Sequence, residues 1–235
     1  MARLVDSHGR RIRDLRISIT DRCNFRCLYC LPETEEAADF FRSSSKSKSR
    51  PIHREWKPKS HFLSYEEIVR VAEVAAGLGV NKIRLTGGEP LLRRDVPKLI
   101  GQLDAISGIK DIALTTNGFS FLKEAEALQK AGLNRVTFSL DSLDSSNFKR
   151  LTGREAFKDV MESIIRAKKL GFSPVRINAV VIRGLNDHEI VPLVRFAQDQ
   201  GLEIRFIEFM PLDSGRAWQK DHVVTGSEIL GILQA

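Results

Sequence analysis

Six short runs of this chain alternate apolar and polar residues with a period of two, the spacing of a strand whose two faces meet different surroundings. They are LRISIT (15–20), KIRLTG (82–87), DIALTT (111–116), RVTFSLD (135–141), VRINAVVI (175–182) and EIRFIEFM (203–210). Between them the period lengthens to that of an amphipathic helix. In SYEEIVRVAEVAAGLG, Ser64 and Glu67 stand at capping-box spacing, and Ile68, Val71, Ala72 and Ala75 share one face. Gly79, Gly132, Gly171 and Gly201 each follow a helical run and stop it one to three residues before the next strand.

A strand, a turn and a helix repeated six times predict an α/β fold with a parallel sheet. Successive right-handed units curl toward a barrel, and six fall short of the eight that close one. The expectation is therefore a partial, three-quarter (β/α) barrel, with a six-stranded doubly wound sheet as the alternative. A parallel strand covered on both faces reads as continuously apolar, and these do not. Arg16, Ser18 and Thr20 share one face; so do Lys82, Arg84 and Thr86, then Arg135, Thr137, Ser139 and Asp141, then Arg176 and Asn178. With helices outside, this polar face lines a hydrated, basic interior suited to an anion; otherwise some strands lie at an edge with that face in water. Arg205 has opposite parity to Glu208 and Met210, so a bulge or a strand end must intervene if all three face one site.

Composition adds a boundary. The net charge is +7, and residues 42–59 carry seven Lys or Arg against Glu55 alone, which accounts for +6 of it. That stretch follows the acidic ETEEAADFF, so residues 33–61 read as a flexible Ser/Lys/Arg-rich insertion, a solvated loop or a docking arm for an acidic partner, within a single domain spanning 1–235. The charge is too local to indicate nucleic acid. No apolar run is long enough for a membrane span and the N-terminus lacks the apolar stretch of a signal peptide, so the expected location is cytoplasmic.

All the cysteines, Cys23, Cys27 and Cys30, fall within TDRCNFRCLYCLPE. Three thiols in eight positions cannot pair off as disulfides and point to metal ligation or catalysis. One reading is a helix stripe with a structural zinc completed by His53 or His61. Another is an iron–sulfur cubane, whose three thiolates leave one iron with an open coordination position.

The Cys-x3-Cys-x2-Cys spacing, with Tyr29 before the last cysteine and GGEP (87–90) after the second strand, resembles the radical S-adenosylmethionine superfamily. More narrowly, DLRISITDRCNFRCLYCLPE, KIRLTGGEPLLRRD, LTTNG, VTFSLDSLD, VRINAVVIRGLND and RFIEFMP resemble the GTP 3′,8-cyclase family of molybdenum cofactor biosynthesis, over nearly the whole chain outside 33–61. The resemblance implies one [4Fe-4S] cluster on Cys23, Cys27 and Cys30. It implies S-adenosyl-L-methionine at Tyr29, Gly87, Gly88, Glu89, Ser139 and Met210, and GTP as substrate at Arg16, Arg84, Thr115, Arg176 and Arg205. At Arg176 that family usually carries Lys, which keeps charge and changes donor geometry.

The implied reaction is that of a lyase converting GTP to (8S)-3′,8-cyclo-7,8-dihydroguanosine 5′-triphosphate. The implied partners are an electron donor, a downstream cyclic pyranopterin monophosphate synthase and a second copy in a homodimer. That family continues into a C-terminal segment with three further cysteines for a second cluster. The chain is expected to lack that segment, as a truncated form whose activity is in question. The alternatives are another radical enzyme of the superfamily, acting on a peptide or small metabolite, or a catalytically incomplete cluster-binding fragment.

Overall fold

The computed structural model describes residues 4–30, 33, 55–211 and 218–235. Most of the expected insertion, residues 34–54, lies outside the described residues. The elements are β1 (Asp14–Ser18), α1 (Tyr65–Gly77), β2 (Lys82–Thr86), α2 (Val96–Asp104), β3 (Asp111–Thr116), α3 (Phe121–Lys130), β4 (Arg135–Ser139), α4 (Ser145–Thr152), α5 (Phe157–Lys169), β5 (Val175–Val181), α6 (Ile190–Asp199), β6 (Glu203–Glu208) and α7 (Gly226–Gln234). All six expected strands are present, in one open sheet in chain order β1 to β6. That order never reverses, which removes the doubly wound alternative, because such a sheet needs a switch point.

The chain divides into two compact units, residues 1–23, 56–138 and 161–175 in the first, and 24–55, 139–160 and 176–235 in the second. In the first, register couples Arg16 to Arg84, Arg84 to Ala113, Ala113 to Arg135 and Thr115 to Thr137. Paired residues of parallel strands point the same way, so one face carries Arg16, Arg84, Thr115 and Thr137. The opposite face carries Ile83, Leu85, Ile112, Leu114, Val136 and Phe138, each at most 1% exposed. It packs on Leu99 and Leu103 of α2 and on α3, where Phe121 meets Phe138 edge-on at 5.1 Å between centroids. Truncating any of these leucines to alanine costs about 2–5 kcal/mol. At the N-terminal strand ends Arg135 donates to Asp111 (Nε–Oδ1 2.7 Å), which removes it from the anion-binding set that parity alone suggests.

Ser64 and Glu67 form the expected capping box. Val71 departs from expectation: Ile68 and Ala72 are buried while Val71 is 47% exposed, because the buried stripe of α1 is narrower than its apolar sequence. Gly132 (φ +98°) turns α3 back, and Leu133 donates to Leu128 O at 3.1 Å.

In the second unit β5 and β6 are parallel, with Arg176 beside Glu203 and Asn178 beside Arg205. The register is regular to Val181 and Glu208, so a strand end rather than a bulge separates Arg205 from Met210. Leu28, Leu151, Ile182, Leu185 and Phe209 form one apolar cluster; Val181, Ile190, Val224 and Ile229 form another. Among the described residues no helix is long and apolar enough to cross a membrane.

Candidate functional site

In the first unit, functional side chains collect where β1, β2 and β3 end. The loop after β2 crosses the loop after β1 backbone to backbone. Gly88 N donates to Thr20 O at 2.7 Å and Glu89 N donates to Arg22 O at 2.7 Å, just before Cys23. A Cβ on Gly87 would lie 2.4 Å from Thr20 O, and one on Gly88 would lie 2.2 Å from Arg22 O. The two glycines are thus required by the approach of the cysteine-bearing loop. The Gly88 and Glu89 amides are spent on that contact, and what a ligand amino group could use here is carbonyl oxygen.

The side chain of Glu89, expected from resemblance beside the cofactor, is turned inward. It is 1% exposed, and its carboxylate accepts from Thr116 Oγ1 (2.8 Å), Asn117 N (2.7 Å) and Leu91 N (3.1 Å). It therefore ties the loop after β2 to the loop after β3, as a positioning residue. Asn117, which lies in the LTTNG run, extends the chain of contacts. Its Oδ1 accepts from Phe119 N (3.0 Å), which fixes the amide so that Nδ2 faces Cys23 Sγ at 3.9 Å. The only sequence signal for it was its place at a strand end.

Burial pushes the Glu89 carboxyl from 4.5 up to about 7, against the lowering effect of its three donors. Between those values the folded chain holds a proton that the unfolded chain has released, so stability falls as pH rises through this window and levels off above it. The span is on the order of 3 kcal/mol. Urea midpoints at about pH 5 and about pH 7.5 should therefore differ, the acidic sample being more stable, and Glu89→Gln should lose this component.

Arg84 reaches both Thr115 and Thr137, with Nη1 at 3.3 Å from each hydroxyl oxygen. Exposed Arg16 is its register neighbour. Two guanidinium groups on adjacent strands repel unless an anion lies between them, and phosphate oxygens match their fork geometry.

In the second unit the cysteine segment is a turn, not a helix, which removes the helix-stripe reading. Cys30 N donates to Cys27 O at 2.9 Å, while Arg26 N and Leu28 N bond Thr152 O (2.8 Å) and Leu151 O (3.0 Å) at the end of α4. Leu28 is buried between the two flanking cysteines, so it anchors the turn and leaves Cys30 exposed and Cys27 half-buried. The half-buried Tyr29 donates to Asp141 Oδ2 at 2.6 Å, and Asp141 Oδ1 accepts from Val180 N at 2.8 Å. Burial raises the Asp141 carboxyl to about 6, with the Tyr29 and Val180 bonds opposing. Burial, then the Asp141 charge, raises the Tyr29 phenol, which stays a donor. In the sequence Asp141 stands at a polar-face position within VTFSLDSLD, which does not show its partners.

Arg176 is 9% exposed and its Nε meets Glu203 Oε2 at 2.5 Å. Its Nη1, and Asn178 Oδ1 on the same face, are buried with no hydrogen-bond partner among the described residues. An unsatisfied buried polar group costs about 1–3 kcal/mol, which a polar ligand on this face would recover. Arg205 is exposed beside Asn178, Ser139 is half-buried at the end of β4, and Met210 is 47% exposed past the end of β6.

The donor set suits a soft metal: three thiols outside any disulfide, two of them on one turn. Among the described residues no three His, Cys, Asp or Glu are already disposed to hold a metal. Closure of the ligand set would accompany binding, as it does where folding and metal uptake are coupled. For a zinc site, His61 is exposed and His53 lies outside the described residues.

The model of the family described as the Radical SAM superfamily matches residues 17–197. A curated protein of Syntrophomonas wolfei subsp. wolfei named GTP 3′,8-cyclase is 46% identical over 231 residues, 98% of this chain and 65% of that protein. Another of the same name, from Staphylococcus haemolyticus, is 42% identical over 236 residues, 100% of this chain and 65% of that protein. The chain thus spans just under two thirds of the length of these relatives. Among solved structures, Streptococcus suis SuiB bound to S-adenosylmethionine superposes with a TM-score of 0.68 at 20% identity, over 88% of this chain and 43% of that one. Methylornithine synthase (PylB) gives 0.66 at 16% identity, over 95% and 61%. At such identities the structural likeness speaks for the fold alone.

Proposed function

This chain belongs to the radical SAM superfamily, and from that premise we propose that it is the core of a GTP 3′,8-cyclase, a lyase that closes the C3′–C8 bond of GTP in molybdenum cofactor biosynthesis. The observation that carries the choice of substrate is the polar strand face. Arg16 and Arg84 stand side by side on the polar face of the first unit's strands, and in the second unit the Nη1 of Arg176 is buried with no hydrogen-bond partner among the described residues. A triphosphate supplies charged acceptors to Arg16, to Arg84 beside its bonds to Thr115 and Thr137, and to Arg176, which an uncharged substrate would not.

In this reading Cys23, Cys27 and Cys30 hold the [4Fe-4S] cluster, and the open iron position takes S-adenosyl-L-methionine. When bound, this pair supplies one-electron cleavage of the cofactor and removal of a hydrogen atom from the substrate ribose. The chain's own residues hold and orient. Leu28 and the Tyr29–Asp141 bond fix the cysteine turn, and Gly87 and Gly88 carry the loop whose carbonyls can receive an amino group. Ser139 and Met210 border the cofactor, Arg16, Arg84, Arg176 and Arg205 grip phosphate, and Thr115 keeps Arg84 aimed. Asn117 directs its amide at Cys23. Residues 1–235 then act as one radical SAM core in the cytoplasm, where thiols stay reduced. An electron donor and a synthase that consumes the cyclised nucleotide would be its partners, with a second copy as a dimer mate.

Thermal unfolding of the anaerobically reconstituted protein tests the substrate. GTP at about 100 times its dissociation constant should add about 2.7 kcal/mol of apparent stability. Arg84→Ala and Arg176→Ala should each weaken GTP at least about tenfold, as expected for loss of a charge-assisted contact. Equal stabilisation of wild type and both variants would contradict the assignment.

A further inference from the structure

A hollow of about 500 Å³ in the first unit lies beside the loop that leads into Cys23 and outside the strand face assigned to GTP. Its floor is apolar, from Ile19, Phe62 and Leu92, and its rim is cationic, from Arg22, Lys57, Lys59, Arg93 and Arg94, with no acid among the lining residues. Arg93 builds the wall. It donates to Ile19 O (2.9 Å) and Leu63 O (2.7 Å) and lies 4.3 Å above the Tyr65 ring, while Tyr65 donates to Arg94 O at 2.6 Å. The other four cations are exposed, and among the described residues none of their head groups has an ion pair or hydrogen bond.

Four exposed cations around one apolar floor raise the local positive potential and attract an anion. Thr20 lines the hollow as a buried polar residue, but its Oγ1 already accepts from Arg22 N at 3.2 Å, so little in it would orient a small ligand. Exposed charges on long stems instead suit a steered, transient encounter with an acidic protein surface. Arg22 also precedes Cys23 directly, about 3.8 Å away between Cα atoms. A partner seated here therefore stands beside the first cluster ligand.

Resting on the function proposed above, we propose that this hollow is the docking site of an acidic one-electron carrier protein that reduces the cluster. One electron passes from the carrier to the cluster, so the carrier is oxidised by one electron and the cluster reduced by one. Positive charge beside Cys23 both recruits the carrier and favours the added negative charge.

The probe is an acidic flavodoxin, tested against the wild-type chain, the triple variant Lys57→Glu, Lys59→Glu, Arg94→Glu, and Lys59→Glu alone. Unchanged melting curves would show that these exposed substitutions leave the fold intact. With chains lacking iron, the flavodoxin should bind wild type at low salt, lose affinity as salt rises, and bind the triple variant at least about tenfold more weakly. With reconstituted chains it should reduce the triple variant at least about tenfold more slowly, followed by the loss of visible absorbance, while dithionite reduces both alike. Failure to bind wild type at low salt, or equal binding and reduction of the triple variant, would overturn the docking site. If no dithionite-reducible cluster forms in any of them, the proposed function fails, and binding to the iron-free chains still decides the docking site.

Discussion

Gly88→Ala is expected to cost about 4 kcal/mol of stability and to leave the protein unable to retain iron, from overpacking plus the loss of two backbone hydrogen bonds. The added Cβ would fall 2.2 Å from Arg22 O, 2.6 Å from Arg22 C and 2.6 Å from Asp21 O, all backbone atoms that no rotamer change can move. Relief requires the loops to separate, which breaks the Gly88 N–Thr20 O and Glu89 N–Arg22 O bonds and frees the segment that enters Cys23. Gly101→Ala is the control. It lies inside α2 with its nearest neighbour, Ala131 O, at 4.0 Å, so alanine there should add about 0.5–1 kcal/mol through helix propensity. Urea unfolding of the two variants, with iron measured after anaerobic reconstitution, reads both effects.

Asp141→Ala should be nearly as severe, about 3 kcal/mol, because it strands two part-buried donors at once and removes a fully buried acceptor. The Tyr29 hydroxyl and the Val180 amide each lose their acceptor, and the turn carrying Cys27 and Cys30 loses its tie to β5. Asp141→Asn keeps an acceptor and removes the buried charge, so it should cost about 1 kcal/mol or less and retain iron. If Asp141→Ala unfolded and took up iron like wild type, Asp141 would have no part in fixing the cysteine turn.

Much of this was legible in the sequence because it depends on period and parity. The alternation in KIRLTG and VRINAVVI placed Arg84 and Arg176 on the face where the register puts them, and the cysteine spacing needed no tertiary information. Strand ends were less legible. β1 and β4 stop at Ser18 and Ser139, short of the alternating pattern, because Thr20 and Asp141 have moved from ladder to loop contacts. Residues whose role rests on a partner distant in sequence could not be read at all. The sequence does not show that Glu89 accepts from Thr116, Asn117 and Leu91, or that Asn117 lies within reach of Cys23. Arg135 shares the polar parity of Thr137, yet Asp111 on the neighbouring strand claims it.

The most direct test of the account follows a hydrogen atom. Anaerobically reconstituted protein is given S-adenosylmethionine, a reductant and GTP deuterated at the ribose 3′ carbon, and the 5′-deoxyadenosine formed is analysed by mass. Formation that depends on GTP and carries deuterium, and that disappears in Cys27→Ser, is the predicted result. Formation at the same rate without GTP, or with no deuterium transferred, would contradict the assignment of this chain to GTP cyclisation.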